Sequence, residues 1–229
     1  MYYILWGKLE FMEKIRINKN ILQYTIGLSN DNIPVEIFRG TRNIGVIICP
    51  PDPHWNGNHN IDIINEIFWS LVDLDISVMR FTFTKYPIVN YNYDKYIAQT
   101  AVCVEEFIET VKLPSNFFIM GYSFGSLTAL NVLLRRPELK AAVLIAPPVT
   151  YYNFLSWISS YQTNCAIIYG SLDEITPDFI YNEYVQFLEV NHIKCHVDVI
   201  PRANHYFHKK IDILKEKVIQ YILSQSNEK

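Results

Sequence analysis

The feature of this sequence that most constrains its fold is an uncharged stretch of 22 residues, Leu113–Leu134. Its length alone would suit a transmembrane helix, but Pro114 lies near its start and Gly121-Tyr-Ser-Phe-Gly125 interrupts it. The residues before the interruption suit a strand, and those after it have helical spacing. We therefore predict a buried strand over Asn116–Met120 that turns sharply into a buried helix over Phe124–Arg135, and no membrane span.

Short apolar runs alternate with helical patterns along the rest of the chain. The predicted strands are a hairpin near Leu22–Leu28 and Pro34–Arg39, then Ile44–Cys49, Ile76–Phe83, Lys140–Ala146, Cys165–Tyr169 and Lys194–Ile200. The predicted helices are Ile61–Asp73 with Asn60 as its cap, one that begins at Asp94, Asp178–Val190 and roughly Lys209–Ser224. Strands that are apolar throughout are typical of burial on both faces. The alternation predicts an α/β fold, a doubly wound and mostly parallel sheet with helices on both faces. A functional site is expected at the carboxyl ends of its strands.

The interruption Gly121-Tyr122-Ser123-Phe124-Gly125 has the G-x-S-x-G pattern of a nucleophile elbow. In such a turn, glycines let the strand and the helix pass each other without Cβ clashes. Ser123 then projects at a helix N-terminus, where N–H groups and the helix dipole favour developing negative charge. With 8 glycines in 229 residues, a chance match between a strand and a helix is rare. The pattern predicts that Ser123 is a nucleophile.

A serine nucleophile needs a base that is oriented by an acid. In folds with this type of elbow, the order along the chain is serine, then aspartate or glutamate, then histidine. Asp173 comes just after the strand Cys165–Tyr169, where the acid is expected. An aspartate there can also serve only to cap a turn, and Glu174 and Asp178 are rival carboxylates. We predict Asp173 as the acid.

The base is expected in the loop between the last strand and the last helix, and His205 lies there. Among the other histidines, His192 and His196 flank or occupy a strand and suit surface or packing roles. His208 is expected to begin the final helix. His205 is therefore the candidate for the base.

Acyl transfer also needs two backbone N–H groups that stabilise an oxyanion. One is expected from Phe124, directly after the nucleophile, and the other from the loop after the strand Ile44–Cys49. That loop begins with Pro50 and Pro51, which lack an N–H, so Asp52 is its first donor. The alternative interpretation of the loop is a stiff, proline-rich turn.

Aromatic residues near the predicted strand ends are candidates for a substrate pocket. They are Tyr86, Tyr122, Tyr151, Tyr152, Phe154 and Trp157. Aromatic residues in such places are equally common in the core, and that alternative stays open. Only 18 residues separate Ala146 from Cys165, too few for a substantial lid domain, so we expect an open site.

Several segments together resemble a known family. They are CPPDPHWNGN, SVMRFTF, GYSFGS, LIAPPVTYYNF, GSLDEITP and IPRANHYFH. From about Ile21 to Leu223 the chain resembles the small, lidless α/β-hydrolases, in particular predicted bacterial hydrolases related to dienelactone hydrolase and the prolyl-oligopeptidase catalytic domain. The resemblance implies the α/β-hydrolase fold. It also places the family's catalytic residues at the positions Ser123, Asp173, His205, Asp52 and Phe124.

The chain departs from the family in two segments. Members usually have His-Pro-His-Pro where this chain has Pro50-Pro-Asp-Pro53, and Arg-Gly where it has Thr84-Lys-Tyr-Pro87. A carboxylate that pointed at the oxyanion would oppose its charge. We therefore expect the Asp52 carboxylate to turn toward solvent or a donor, with its N–H facing the pocket.

These features predict a serine-dependent, carboxylesterase-like hydrolase. It would cleave a carboxylic ester or thioester of a small molecule through an acyl-enzyme on Ser123, with neither a metal nor an organic cofactor. One alternative is an acylpeptide-type peptidase, for which no group that would bind a peptide N-terminus is evident. The other is a weak or idle scaffold that binds a partner; the complete triad argues against it, and the altered oxyanion loop argues for it.

Charge and cysteine content narrow the class of protein further. Twenty Lys and Arg against 23 Asp and Glu give a net charge of −3, which leaves no basic excess for binding nucleic acid. The cysteines, Cys49, Cys103, Cys165 and Cys195, lack zinc-ligand spacing, so we expect reduced, buried thiols and a cytoplasmic protein. The first residues lack the basic region of a secretory signal, and Met12 is an alternative start. We expect an N-terminal extension over 1–20 and one domain over 21–229.

Overall fold

The structure is a computed structural model that describes residues 20–90, 92–112, 114–150 and 164–226. Its strands are β1 (Ile21–Leu28), β2 (Asp31–Phe38), β3 (Ile44–Cys49), β4 (Ser77–Phe81), β5 (Asn116–Tyr122), β6 (Leu139–Ile145), β7 (Cys165–Gly170) and β8 (Cys195–Ile200). Its α-helices are α1 (Asp62–Asp73), α2 (Tyr93–Val111), α3 (Phe124–Leu133), α4 (Asp178–Val190) and α5 (Ile211–Gln225). Of the expected N-terminal extension, only residue 20 is described.

All eight described strands join one sheet, in the order β1-β2-β4-β3-β5-β6-β7-β8. β2 pairs antiparallel with β1 and with β4, and every later pair is parallel. β3 lies between β4 and β5: the chain first adds β4 along one edge of β3 and then crosses back to add β5 along the other edge. The carboxyl ends of β3 and β5 therefore flank the point where the strand order reverses, which is where α/β sheets bind ligands.

Helices cover both faces of the sheet, which confirms the predicted doubly wound architecture. On one face, α1 and α5 bury side chains such as Phe68 and Val218 against the sheet. On the other face, α2, α3 and α4 bury side chains such as Phe107, Leu127 and Tyr181. The strands β3, β5 and β7 are buried at every position, because both of their faces are covered.

Helix α3 explains why the chain carries no charged residue directly after the G-x-S-x-G turn. Every residue from Phe124 to Val132 is buried, so a charged side chain anywhere on this helix would be costly. The preceding strand, β5, is buried throughout as well. None of the described helices is long and apolar enough to cross a membrane.

Two predicted helix starts were wrong. Asn60 does not cap α1: the N-cap is Ile61, and the Asn60 N–H instead donates to the side chain of Asn58, 2.8 Å away, in the turn before the helix. The last helix begins at Ile211, two residues after the approximate predicted start at Lys209, and not at His208. Lys209 has a φ of 59°, a left-handed conformation that a right-handed helix cannot include.

All four cysteines are free thiols. Cys49, Cys103 and Cys165 are buried as predicted, but Cys195 is only partly buried, because it begins β8 at the edge of the sheet. Burial raises the pKa of the Cys49 thiol to about 12, so this side chain behaves as a small apolar group. The cytoplasmic location stays a prediction.

Candidate active site

Ser123 joins β5 to α3 in a backbone conformation that only tight turns use. Its φ is 52° and its ψ is −120°, which is costly for a residue with a side chain. The turn is held in place by a hydrogen bond of 2.8 Å from the Ser123 N–H to the carbonyl of Ile145 on β6. The buried hydroxyl of Ser126 donates to the carbonyl of Gly121 at 2.8 Å and lies 3.1 Å from that of Ile145. Sequence reasoning did not assign this role to Ser126, although GYSFGS contains it.

The two glycines of the motif are required for space. A Cβ on Gly121 would lie 2.2 Å from the carbonyl oxygen of Gly125. A Cβ on Gly125 would lie 2.3 Å from the carbonyl oxygen of Cys49 and 2.5 Å from that of Pro50. None of the described glycines has a positive φ. Their absent side chains let β5, α3 and the end of β3 approach one another.

The structure brings Ser123, His205 and Asp173 into one hydrogen-bonded chain. His205 Nε2 lies 3.1 Å from Ser123 Oγ, and His205 Nδ1 lies 2.8 Å from Asp173 Oδ2. The side chains of His205 and Asp173 are 3% and 0% exposed. Because a carboxylate only accepts hydrogen bonds, Nδ1 donates to Asp173 and Nε2 is left to accept from the Ser123 hydroxyl.

Asp173 makes the contacts that both of its candidate roles require. Its Oδ1 accepts the N–H groups of Ile175 and Thr176 at 2.9 and 2.8 Å, as a turn-capping aspartate does. Its Oδ2 is thereby aimed at His205. Glu174, the rival carboxylate, instead accepts the backbone N–H of His205 at 3.0 Å and so holds the loop that carries the imidazole.

Tyr122, predicted to line a substrate pocket, is buried beside His205. Its hydroxyl donates to the His205 carbonyl at 3.1 Å, and the two ring centroids are 5.5 Å apart. Burial is the main cause of the raised pKa of this phenol. These contacts hold the backbone and the ring of His205 in place. A role for Tyr122 in the substrate pocket stays a prediction.

The loop after β3 lies beside the elbow. Cys49, the last residue of β3, is the register partner of Gly121, so Asp52 and Ser123 each follow within a few residues of this pair. The Asp52 carbonyl accepts the N–H groups of Trp55 and Gly57 at 3.1 and 3.0 Å, which closes a tight turn. The Asp52 N–H itself donates to no acceptor in the described part of the chain.

The Asp52 carboxylate is turned toward a donor, as expected. Its Oδ1 accepts the N–H of His54 at 2.8 Å and lies 2.8 Å from His54 Nδ1. His54 Nε2 lies 2.8 Å from the carbonyl oxygen of Tyr86. Sequence reasoning missed the role of His54, because no local sequence pattern predicts a contact with residue 86, which lies 32 positions later.

Tyr86, also predicted to line the pocket, is anchored at its far end. Its hydroxyl bonds to the carboxylate of Asp31 and accepts from Gln99 Nε2 at 2.7 Å. The Lys95 ammonium lies 4.3 Å from the ring centroid. Burial, followed by the bond to Asp31, raises the pKa of Tyr86 to about 12. The other predicted pocket residues, Tyr151, Tyr152, Phe154 and Trp157, lie outside the described residues.

Phe124, the other predicted oxyanion donor, sits in an aromatic cluster behind the elbow. Its ring centroid lies 5.9 Å from that of Phe83, 5.8 Å from Tyr93 and 5.3 Å from Tyr96, each edge to face. Such pairs are individually favourable. The cluster fixes the first turn of α3, where the Phe124 N–H begins the helix.

The described residues include a cavity away from the triad and no candidate metal site. A cavity of about 650 Å³ at the amino ends of β7 and β8 is lined by residues that include Cys195, Lys217 and Tyr221, and by none of the triad. In the ranges that the structure describes, no three His, Cys, Asp or Glu side chains cluster as metal ligands.

Sequence comparison finds one distant relative. No family model matches the chain. An uncharacterized protein of Rickettsia prowazekii is 25% identical over 190 residues, which is 79% of each chain. This relative carries no information on function.

Solved structures give closer matches in shape. An α/β serine hydrolase without a lid from Xanthomonas campestris has a TM-score of 0.78 at 19% identity, over 92% of this chain and 97% of that one. An α/β serine hydrolase homologue from Coxiella burnetii has a TM-score of 0.74 at 21% identity, over 87% and 96%. Dienelactone hydrolase from Anabaena variabilis has a TM-score of 0.74 at 11% identity, over 91% and 99%. The chain therefore has the lidless α/β-hydrolase fold, which confirms the fold that the sequence resemblance implied.

Proposed function

We propose that this protein is a serine hydrolase that cleaves a carboxylic ester or thioester of a small molecule through an acyl-enzyme on Ser123. One observation carries the proposal: Ser123 Oγ, the His205 imidazole and the Asp173 carboxylate form a continuous chain with contacts of 3.1 and 2.8 Å. A nucleophile, its base and the base's orienting acid in this geometry are the requirements for acyl transfer.

In the first half-reaction, Ser123 Oγ attacks the substrate's carbonyl carbon while His205 Nε2 takes the hydroxyl proton. The carbonyl oxygen becomes an oxyanion, which the N–H groups of Phe124 and Asp52 stabilise. The bond to the leaving oxygen or sulfur then breaks, and His205 gives its proton to the departing alcohol or thiol. Asp173 keeps the imidazole in the required tautomer throughout.

In the second half-reaction, His205 removes a proton from water as the water oxygen attacks the acyl-enzyme. A second oxyanion forms in the same place and collapses. The carboxylic acid leaves, and His205 returns the proton to Ser123 Oγ. The cycle closes with the groups that this chain supplies.

The backbone strain at Ser123 supports an enzyme over an idle scaffold. A φ of 52° with a ψ of −120° costs about 1–3 kcal/mol and persists only where the surroundings enforce it. A surface that only binds a partner has no need to hold a serine hydroxyl in this conformation against His205.

Labelling with a fluorophosphonate, which phosphonylates activated serines, tests the proposal. We expect the wild type and Ser224→Ala, a control on α5, to be labelled, and Ser123→Ala to be unlabelled. Hydrolysis of p-nitrophenyl esters and of acyl thioesters should show the same dependence on Ser123. An unlabelled wild type, or a labelled Ser123→Ala, would contradict the proposal.

A further inference from the structure

Both ring nitrogens of His54 face oxygens that carry no proton. Nδ1 lies 2.8 Å from Asp52 Oδ1, and Nε2 lies 2.8 Å from the backbone carbonyl oxygen of Tyr86. A backbone carbonyl and a carboxylate are acceptors only, and a neutral imidazole has one N–H to give. Two contacts of hydrogen-bond length therefore require two ring protons.

We propose that His54 is held as an imidazolium that neutralises the Asp52 carboxylate and fixes the oxyanion loop. This inference rests on the proposed function, because the loop matters only if an oxyanion forms beside it. His54 is a positioning residue: it acts on the reaction through Asp52, whose N–H is the proposed oxyanion donor.

The location of Asp52 makes its charge consequential. The register partners Cys49 and Gly121 place the loop next to the nucleophile. The side chains of His54 and Asp52 are only 10% and 23% exposed, so water screens the carboxylate poorly. An unpaired negative charge here would oppose the oxyanion, whereas an imidazolium–carboxylate pair adds no net charge.

The surroundings of His54 keep it in place. The backbone carbonyl of Tyr86 contacts His54, and the hydroxyl of Tyr86 bonds to Asp31. Burial is the main cause that raises the pKa of this phenol to about 12, so the phenol is neutral. The Tyr96 ring meets the imidazole edge to face, with centroids 6.5 Å apart. The Lys95 ammonium lies over the Tyr86 ring, 4.3 Å from its centroid. The Asp52 carboxylate contacts the imidazole directly.

A spectroscopic test reads the protonation of His54 without any substrate. Long-range ¹H–¹⁵N NMR spectra distinguish an imidazolium from either neutral tautomer, and His54→Gln assigns the signal. At about pH 7.5, where an exposed imidazole is mostly neutral, His54 should be doubly protonated in the wild type and neutral in Asp52→Asn. A neutral His54 in the wild type would overturn the inference, whether or not the protein proves to be a hydrolase.

Kinetics test the consequence for the reaction. We expect His54→Gln, which leaves the carboxylate unpaired, to lower kcat by about tenfold or more with little change in KM. Removing the charge as well, in Asp52→Asn/His54→Gln, should bring kcat back to within about threefold of Asp52→Asn. A purely structural role for His54 predicts no such rescue, and a double variant as slow as His54→Gln would refute the electrostatic argument.

A matched control separates this effect from the general loss of a histidine–aspartate pair. His196 Nε2 lies 3.0 Å from Asp198 Oδ2 on the exposed strand β8, and His196→Gln should leave kcat unchanged. If the wild type itself neither hydrolyses esters nor reacts with a fluorophosphonate, the proposed function fails, and the NMR spectra still decide the protonation of His54.

Discussion

A single added methyl group at Gly125 should damage both the stability and the activity of this protein. The Cβ of an alanine there would lie 2.3 Å from the carbonyl oxygen of Cys49 and 2.5 Å from that of Pro50. Ordinary contacts begin near 3.4 Å, so the clash requires a shift of about 1 Å. Both oxygens are backbone atoms, so no side chain can rotate away to relieve it.

The size of the effect follows from what has to move. Overpacking of this kind costs about 1–3 kcal/mol, and each 1 kcal/mol lowers the Tm of a domain of this size by about 2–4 °C. The displaced backbone leads directly to Asp52, whose N–H is the proposed oxyanion donor. A 1 Å displacement of catalytic geometry can reduce the rate by about 10²-fold, so kcat/KM should fall more than stability alone predicts.

The assay compares Gly125→Ala with Gly27→Ala, in thermal melts and in ester hydrolysis. Gly27 lies in β1, and nothing lies within 4 Å of where its Cβ would be, so its alanine variant should stay within about 0.5 kcal/mol of the wild type. If Gly125→Ala melts and turns over like the wild type, the motif's glycines are not required for space, and our explanation of the elbow is wrong.

Three further predictions concern the triad and the partly buried His59. Ser123→Ala should lower ester hydrolysis by about 10⁴-fold or more, with Asp173→Asn costing somewhat less, because triad members act as a unit; near-normal rates in Ser123→Ala would exclude the mechanism. Ser123→Gly should be equally inactive yet melt above Ser123→Ala, since relief of about 1–3 kcal/mol of strain exceeds the entropic cost of glycine, about 0.5–1 kcal/mol; equal or reversed melting would contradict this. Burial lowers the pKa of His59, so the folded state binds its proton less readily than the unfolded state does. The contribution of His59 to the free energy of unfolding should be fully present above about pH 6.5 and should be lost as the pH falls. Denaturant titrations between about pH 7 and 5 should therefore show a smaller decrease in the free energy of unfolding for His59→Gln than for the wild type.

The sequence predicts the parts of the site that depend on local pattern. Ser123, Asp173 and His205 were proposed because each follows a predicted strand, and strand order fixes where strand ends meet. The contacts that hold these residues were not found. Glu174 reaches the His205 N–H, and His54 reaches the carbonyl of Tyr86, only after distant segments have packed. The start of α1 was missed for a local reason: the Asn60 N–H donates to the side chain of Asn58 in the turn before the helix, and Asn60 does not cap it.

The separation of 82 positions between Ser123 and His205 in the sequence also sets the order in which the proposed catalytic residues are synthesised. In a chain growing from its N-terminus, Ser123 is translated well before β8 and the histidine loop. Until then Ser123 has no base, so on the proposed function an incomplete chain should not turn over esters. Ester turnover by a nascent chain would then report that the histidine loop has packed against Ser123.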